Sequence, residues 1–324
     1  MPARLLFVHA HPDDETLTTG VTMASYAAQG HDVHLLTCTL GEEGEVIPAD
    51  LAHRGSDRDD TLGPVRREEL RAAMRVLGVE HVVLGEHPER GVASRYRDSG
   101  MAGTASAQHP QAFARADLGE AAALVADHIK ALKPDVVVTY DSHGGYAHPD
   151  HVQTHRVTMS ALSSLAAEAE ARAYAGSTAT ATATAGATAA VAGPSVPAAY
   201  CILTPRSWAL QDREWLLEHA SAISLNCTVP QQNAPYPPSV VRDEVVTHVV
   251  DEPGTVETQS RALAEHRTQV TVYEGYYALS NQIAARLSGR EGFARFDPAT
   301  GSLVPTAPGA PRHTGLLTDV QVHP

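Results

Sequence analysis

Short apolar runs of strand length recur along this chain, each followed by a stretch of helical period, and this alternation constrains the fold more than any other feature. Leu5-Leu6-Phe7-Val8 is the first run, closed by His9 and a nearby proline. A run that is apolar at every residue, rather than at alternate ones, marks a strand buried on both faces. In residues 18–29, Val21, Met23, Ala24 and Ala27 fall at helical spacing and Gly30 supplies a stop. A second strand is expected over 33–38, followed by a Gly/Glu loop over 41–45. Residues 66–77 read as an amphipathic helix ending at Gly78, and Val82-Val83-Leu84 as a third strand. Residues 118–132 are helical in pattern, Pro134 breaks them, and 135–140 form another buried strand. Strands alternating with helices of this length give βαβ units and an α/β fold with a mainly parallel sheet.

Beyond residue 140 the pattern is less regular. Residues 171–192 are dominated by Ala and Thr, with Tyr174 and Val191 the large apolar exceptions. Such a composition buries too little surface to offset its ordering entropy, so a surface insertion is expected over 166–198. After it, 199–203 and 245–250 look like strands, and 256–266 and 277–287 like helices. The division expected is a metal-binding catalytic core over 1–165, the insertion, a smaller α+β portion over 199–300 completing the substrate pocket, and a loosely held tail over 301–324.

The formal charge is −14, with no Lys/Arg cluster, which argues against nucleic acid and other polyanions as partners. The N-terminal apolar run is too short for a signal-peptide core, and no later run has membrane-spanning length, so a soluble cytoplasmic protein is expected. Cys38, Cys201 and Cys227 are odd in number and far apart, and read as inert thiols rather than a disulfide or thiolate metal site.

The chemistry is concentrated in two segments. His9-Ala10-His11-Pro12-Asp13-Asp14-Glu15 follows the first strand, and Tyr146-Ala147-His148-Pro149-Asp150-His151 follows the strand ending at Tyr140. Ligands of open parallel sheets bind at the carboxyl ends of the strands, so the two segments are expected to meet there. Hydrolytic zinc sites use three N/O protein ligands and keep a fourth position open. His11 and Asp14 supply two such ligands and His151 the third. Asp13 is left beside the metal as a carboxylate able to take a proton from water and pass it to a leaving amine. His148, with Asp150 two residues on, has the makings of an oriented imidazole–carboxylate pair facing an oxyanion, and Tyr146 adds a phenolic hydroxyl. No Gly-rich phosphate loop, HExxH or GxSxG motif competes with this reading.

These two motifs resemble those of the LmbE-like (PIG-L) zinc-dependent N-acetylglucosamine deacetylases, which implies a Rossmann-like fold without a nucleotide. GEEGE at 41–45 and RDSGMAG at 97–103 narrow the resemblance to the branch acting in mycothiol biosynthesis. That branch implies removal of the N-acetyl group from N-acetylglucosaminyl-inositol, with one Zn2+, or Fe2+ in its place, and no obligatory protein partner. The resemblance assigns His11, Asp14 and His151 to the metal and Asp13 to acid/base work. It places His148, oriented by Asp150, on the oxyanion side and makes Tyr146 a mobile active-site residue. It implies sugar and inositol contacts at Glu45, Arg66 and Asp98, with Met101 packing nearby. Ala147 departs from it, standing where glycine is expected, and the Ala/Thr insertion has no counterpart.

Three alternatives bear weighing. The sister branch, mycothiol S-conjugate amidases, carries a lysine four residues after the metal-binding aspartate, where this chain has Thr18. A non-catalytic sugar-binding module predicts loss of Asp13, His148 or Tyr146, all of which are present. A dinucleotide-binding oxidoreductase needs a GxGxxG turn where HAHPDDE stands.

Overall fold

The computed structural model describes residues 2–180, 196–307, 309–318, 320 and 322. β1 (Arg4–His9), β2 (Asp32–Thr37), β3 (Glu80–Val83), β4 (Val136–Tyr140) and β5 (Ala198–Ile202) form the parallel half of the main sheet. The helices α1 (Asp14–Ala28), α2 (Leu62–Leu77), α3 (Leu118–Leu132), α4 (Gly144–Ala147) and α5 (Pro149–Thr180) fall between these strands. Leu6 and Val8 pack into the core shared with α3 and α5, and Leu5 and Phe7 into the core shared with α1 and α2. The unbroken apolar run is thus the direct consequence of a strand covered on both sides.

A two-residue parallel pair, β6 (Thr204–Pro205) with β7 (Val240–Val241), brackets α6 (Arg206–Glu218). β8 (His248–Asp251) leads to α7 (Val256–Glu265), and β9 (Thr271–Tyr273), β10 (Tyr276–Ala278) and β11 (Ala284–Arg286) make a small antiparallel sheet. β12 (Arg290–Phe296) and β13 (His313–Thr314) return to the main sheet, whose order is β13-β8-β12-β5-β4-β1-β2-β3. The first half therefore runs β3-β2-β1-β4-β5, with the strand order reversing between β1 and β4. That reversal is the crevice where open α/β sheets bind ligands.

Two expectations are corrected. Residues 277–287 are not a helix. Tyr276 and Ala278 are buried while Tyr277 is only partly so, which is strand alternation, and Asn281 accepts the Ile283 N–H at 2.9 Å to close the turn. Its Ala-Ala-Arg-Leu end fits either period. The tail is not loose throughout: β13 pairs with β8, and Leu316 is fully buried, donating its N–H to the Tyr26 hydroxyl at 2.6 Å. β8, β12 and β13 of the second half extend the first sheet. Of the Ala/Thr segment, α5 carries the chain to Thr180, and residues 181–195 lie outside those described.

Glu291 of β12 reaches across to α1. It is 8% exposed and accepts the N–H groups of Val21 at 2.9 Å and Thr22 at 2.8 Å, and the Thr22 hydroxyl. Burial pushes its carboxyl from 4.5 up to about 7. A folded state that retains a proton the unfolded chain releases loses stability as pH rises through that window. The loss totals roughly 3 kcal/mol by pH 8. Glu291→Gln is therefore expected to gain about that much on wild type between pH 4.5 and 8, read by urea denaturation of the two proteins in parallel. A difference that stays constant with pH would refute the assignment.

Candidate metal centre

β1 ends at His9, and the chain turns through His11-Pro12-Asp13 into α1, whose first residues are Asp14 and Glu15. Acidic side chains suit a helix N-terminus, where the unpaired N–H groups favour negative charge. β4 ends at Tyr140, and the following turn enters α5 at Pro149, putting His151 in its first turn. Across the crevice, His11 Nδ1 lies 3.3 Å from Asp14 Oδ2 and 3.3 Å from His151 Nε2, and His151 Nε2 lies 3.2 Å from Asp14 Oδ2. The three atoms form a nearly equilateral triangle. Tetrahedral N/O ligands about 2.0–2.1 Å from an ion stand about 3.3 Å from one another, so this donor set fits a small divalent cation.

Charge supports the same fit. Asp13, Asp14, Asp98 and Asp150 are all buried here, with the buried guanidinium of Arg66 beside them. So many carboxylates taken out of water call for further positive charge. Burial alone would lower the His11 imidazole, but Asp98, Asp14 and Asp150 around it raise it well above its usual value. Its far nitrogen, Nε2, is 3.2 Å from Asp150 Oδ2 and 3.4 Å from Asp98 Oδ1. A carboxylate behind a ligating imidazole fixes its tautomer and strengthens it as a ligand.

Asp13 sits beside the triangle in a strained backbone conformation, φ 119° and ψ −36°. Its N–H donates to Glu15 Oε2 at 2.9 Å, and its Oδ1 lies 3.2 Å from Arg66 Nη2. Arg66 also donates to the carbonyls of Pro12 and, at 2.7 Å, Gly41. A Cβ at position 41 would stand 2.0 Å from Arg66 Nη1, so only glycine leaves the guanidinium room. Burial raises the Asp13 carboxyl to about 6 against the opposing pull of Arg66. His148 is lowered to about 3 by burial and by the neighbouring His11 and His151, so its ring is neutral. Its Nδ1 accepts the Asp150 N–H at 3.2 Å, which leaves the proton on Nε2 as a donor.

A cavity of about 750 Å³ opens onto this cluster. It is lined by His11, Asp13, Asp14, His148, His151 and Tyr146, and by Glu45, Arg66, Asp98 and Met101, which brings together every residue singled out from the sequence except Asp150. Asp150 is fully buried behind His11, where it also accepts the Ser99 N–H at 2.9 Å and the Ser99 hydroxyl. Its carboxylate therefore orients His11; His148 is oriented by the Asp150 backbone. The cause is local: α5 begins at Pro149, and its first turn carries the Asp150 side chain toward His11 while His148 stays in extended backbone outside the helix. Arg66 is likewise more than a wall of the cavity, because it contacts the Asp13 turn at the Pro12 carbonyl and Asp13 Oδ1 and ties it to the loop at Gly41. Glu45 is exposed, and Met101 is 52% exposed. Tyr146 is 53% exposed, its ring centroid 4.9 Å from that of His151 in an edge-to-face arrangement. Ala147 adopts φ 70°, the left-handed conformation that explains why glycine is expected there.

Sequence reading left three participants unassigned. Glu15 and His266 are both fully buried, with Oε1 3.0 Å from Nε2, and Glu15 holds the Asp13 backbone. Tyr140 donates to Asp14 Oδ2 at 2.8 Å. Glu15 stood within the motif and Tyr140 at the strand end, but their partners are distant in sequence. Cys38 and Cys201 are buried, their thiols pushed up to about 12 by burial, as expected of inert residues.

Residues 6–162 match the family described as PIG-L, GlcNAc-PI de-N-acetylase. The 1D-myo-inositol 2-acetamido-2-deoxy-alpha-D-glucopyranoside deacetylase of Streptomyces scabiei is 44% identical over 291 residues, covering 89% of this chain and 83% of that protein. The protein of the same name from Thermomonospora curvata is 43% identical over 317 residues, covering 97% and 96%. Among solved structures, the N,N'-diacetylchitobiose deacetylase from Pyrococcus horikoshii aligns with a TM-score of 0.47 at 17% identity, over 82% of this chain and 70% of that one. Among the described residues no helix is long and apolar enough to cross a membrane. The match over residues 6–162, with identity of 43–44% across most of both chains, places the chain in the PIG-L family.

Proposed function

We propose that this protein is a zinc-dependent hydrolase that removes the N-acetyl group from N-acetylglucosaminyl-inositol, giving glucosaminyl-inositol and acetate in mycothiol biosynthesis. The observation that carries the reading is the triangle of His11 Nδ1, Asp14 Oδ2 and His151 Nε2, with edges of 3.2–3.3 Å, and Asp13 beside it. The similarity to the inositol deacetylases supplies the substrate.

In this reading His11, Asp14 and His151 hold the ion. When bound, it supplies a Lewis acid for the acetamide carbonyl and brings the acidity of water near neutral pH. Asp13 takes the proton of the attacking water. Raised to about 6, it is ionised enough at neutral pH to accept that proton and acidic enough to give it up to the departing amine. His148, neutral and with its proton on Nε2, donates a hydrogen bond to the developing oxyanion rather than a proton to the amine. Tyr146, at the cavity rim, adds its hydroxyl to the same oxygen. Asp98, Glu45 and Arg66 offer acceptors and donors to the hydroxyls of a neutral polyol, and Met101 covers an apolar ring face. Fe2+ suits the same ligands.

The test is amine release from N-acetylglucosaminyl-inositol and from a mycothiol S-conjugate, by metal-loaded and metal-stripped protein. Faster, metal-dependent turnover of the former is expected. Preference for the conjugate would reassign the substrate, and no turnover of either would leave a sugar-binding module.

A further inference from the structure

Tyr140, the last residue of β4, is 3% exposed and touches two of the three corners of the triangle. Its hydroxyl donates to Asp14 Oδ2 at 2.8 Å, and its ring stacks on the His151 imidazole with centroids 4.4 Å apart and planes at 20°. The same oxygen accepts the Ala10 N–H at 3.0 Å and lies 3.2 Å from His9 Nδ1. It has one proton to give, and the shorter contact to a carboxylate takes it. The third corner is tied to the same atom, since the His11 N–H donates to Asp14 Oδ2 at 3.0 Å.

We propose that Tyr140 is a positioning residue for the metal, its hydroxyl setting the Asp14 carboxylate and its ring setting the His151 plane. Asp14 opens α1 and His151 lies in the first turn of α5, so without a common contact each ligand keeps the torsional freedom of its own helix end. Tyr140 stands between them at the end of the strand next to β1 and removes that freedom from both before an ion arrives. Its hydroxyl also secures the Ala10 backbone, directly before His11. The inference rests on the metal reading above and adds to it a residue outside the ligand triangle.

The test is zinc affinity, measured by competition with a chromophoric chelator on the full-length, metal-stripped protein, with the visible spectrum of the Co2+ form as a second readout. Tyr140→Phe keeps the ring and removes the hydroxyl. Outer partners of metal ligands commonly contribute about 10–100-fold to affinity, and a loss of that size is expected with a changed cobalt spectrum. A variant that melts earlier but binds zinc as wild type does would show a structural role only and overturn the proposal. Should Tyr140→Phe fail to fold, 3-fluorotyrosine at position 140 keeps size and hydroxyl while strengthening the donor. A cobalt spectrum identical to wild type would then overturn the proposal. Wild-type protein that takes up no zinc would overturn the metal reading instead.

Discussion

Asp13→Asn is expected to lower turnover of N-acetylglucosaminyl-inositol by about 10²–10⁴-fold, the range over which a positioned acid/base acts, while zinc content stays at the wild-type level. Asparagine suits this test better than alanine. Asp13 has φ 119°, and asparagine tolerates positive φ better than most side chains. The amide also keeps an oxygen for Arg66, which approaches Asp13 Oδ1 at 3.2 Å. What it cannot do is take a proton. Ordinary turnover by the zinc-loaded variant would remove Asp13 from the acid/base role and leave the triangle standing. Loss of zinc along with activity would make Asp13 part of the ligand set.

The second large effect concerns stability. Glu15→Ala is expected to cost about 3–5 kcal/mol, because it leaves a buried His266 without its counter-charge. Burial opposes charge on both groups, yet each partner's field holds the other charged: Glu15 is lowered and His266 raised. Glu15 also accepts the Thr16 hydroxyl at 2.6 Å and the strained Asp13 N–H at 2.9 Å, so three donors lose their acceptor together. Urea unfolding of metal-stripped protein measures this without a contribution from bound zinc. The double variant Glu15→Gln/His266→Gln should lose less than the two single changes summed, since neither side then strands a charge. A Glu15→Ala loss below about 1 kcal/mol would mean the pair is not held as an ion pair.

The parallel core was legible because its signal is local. Leu5–Val8 and 135–140 are apolar at every residue since both faces are covered, and the helices between them end at glycines or before a proline. The corners of the triangle were legible for the same reason: His11 and Asp14 lie within one turn, and His151 follows a strand whose neighbour in the sheet is β1. Misreadings began where local pattern serves two structures equally. Residues 284–287 satisfy a helix as well as a strand, and only the turn at Asn281 and pairing with β10 decide between them. The spacing of His148 and Asp150 suggested a mutual pair, but the start of α5 between them turns the carboxylate to His11. Tyr140 with Asp14 and Glu15 with His266 carry no local signal, because their pairing is set by the order of strands and the packing of α7 against α1.

The placement of these groups along the chain has a consequence for synthesis. All three corners of the metal triangle, together with Tyr140, have been translated by residue 151, and the five parallel strands by residue 202. His266 leaves the ribosome later, with α7. On the proposed reading, a nascent chain thus carries all three candidate zinc ligands while Glu15, which holds the Asp13 N–H, still has no counter-charge. On that reading, the order of translation presents the ligand triangle first and completes the support of Asp13 last.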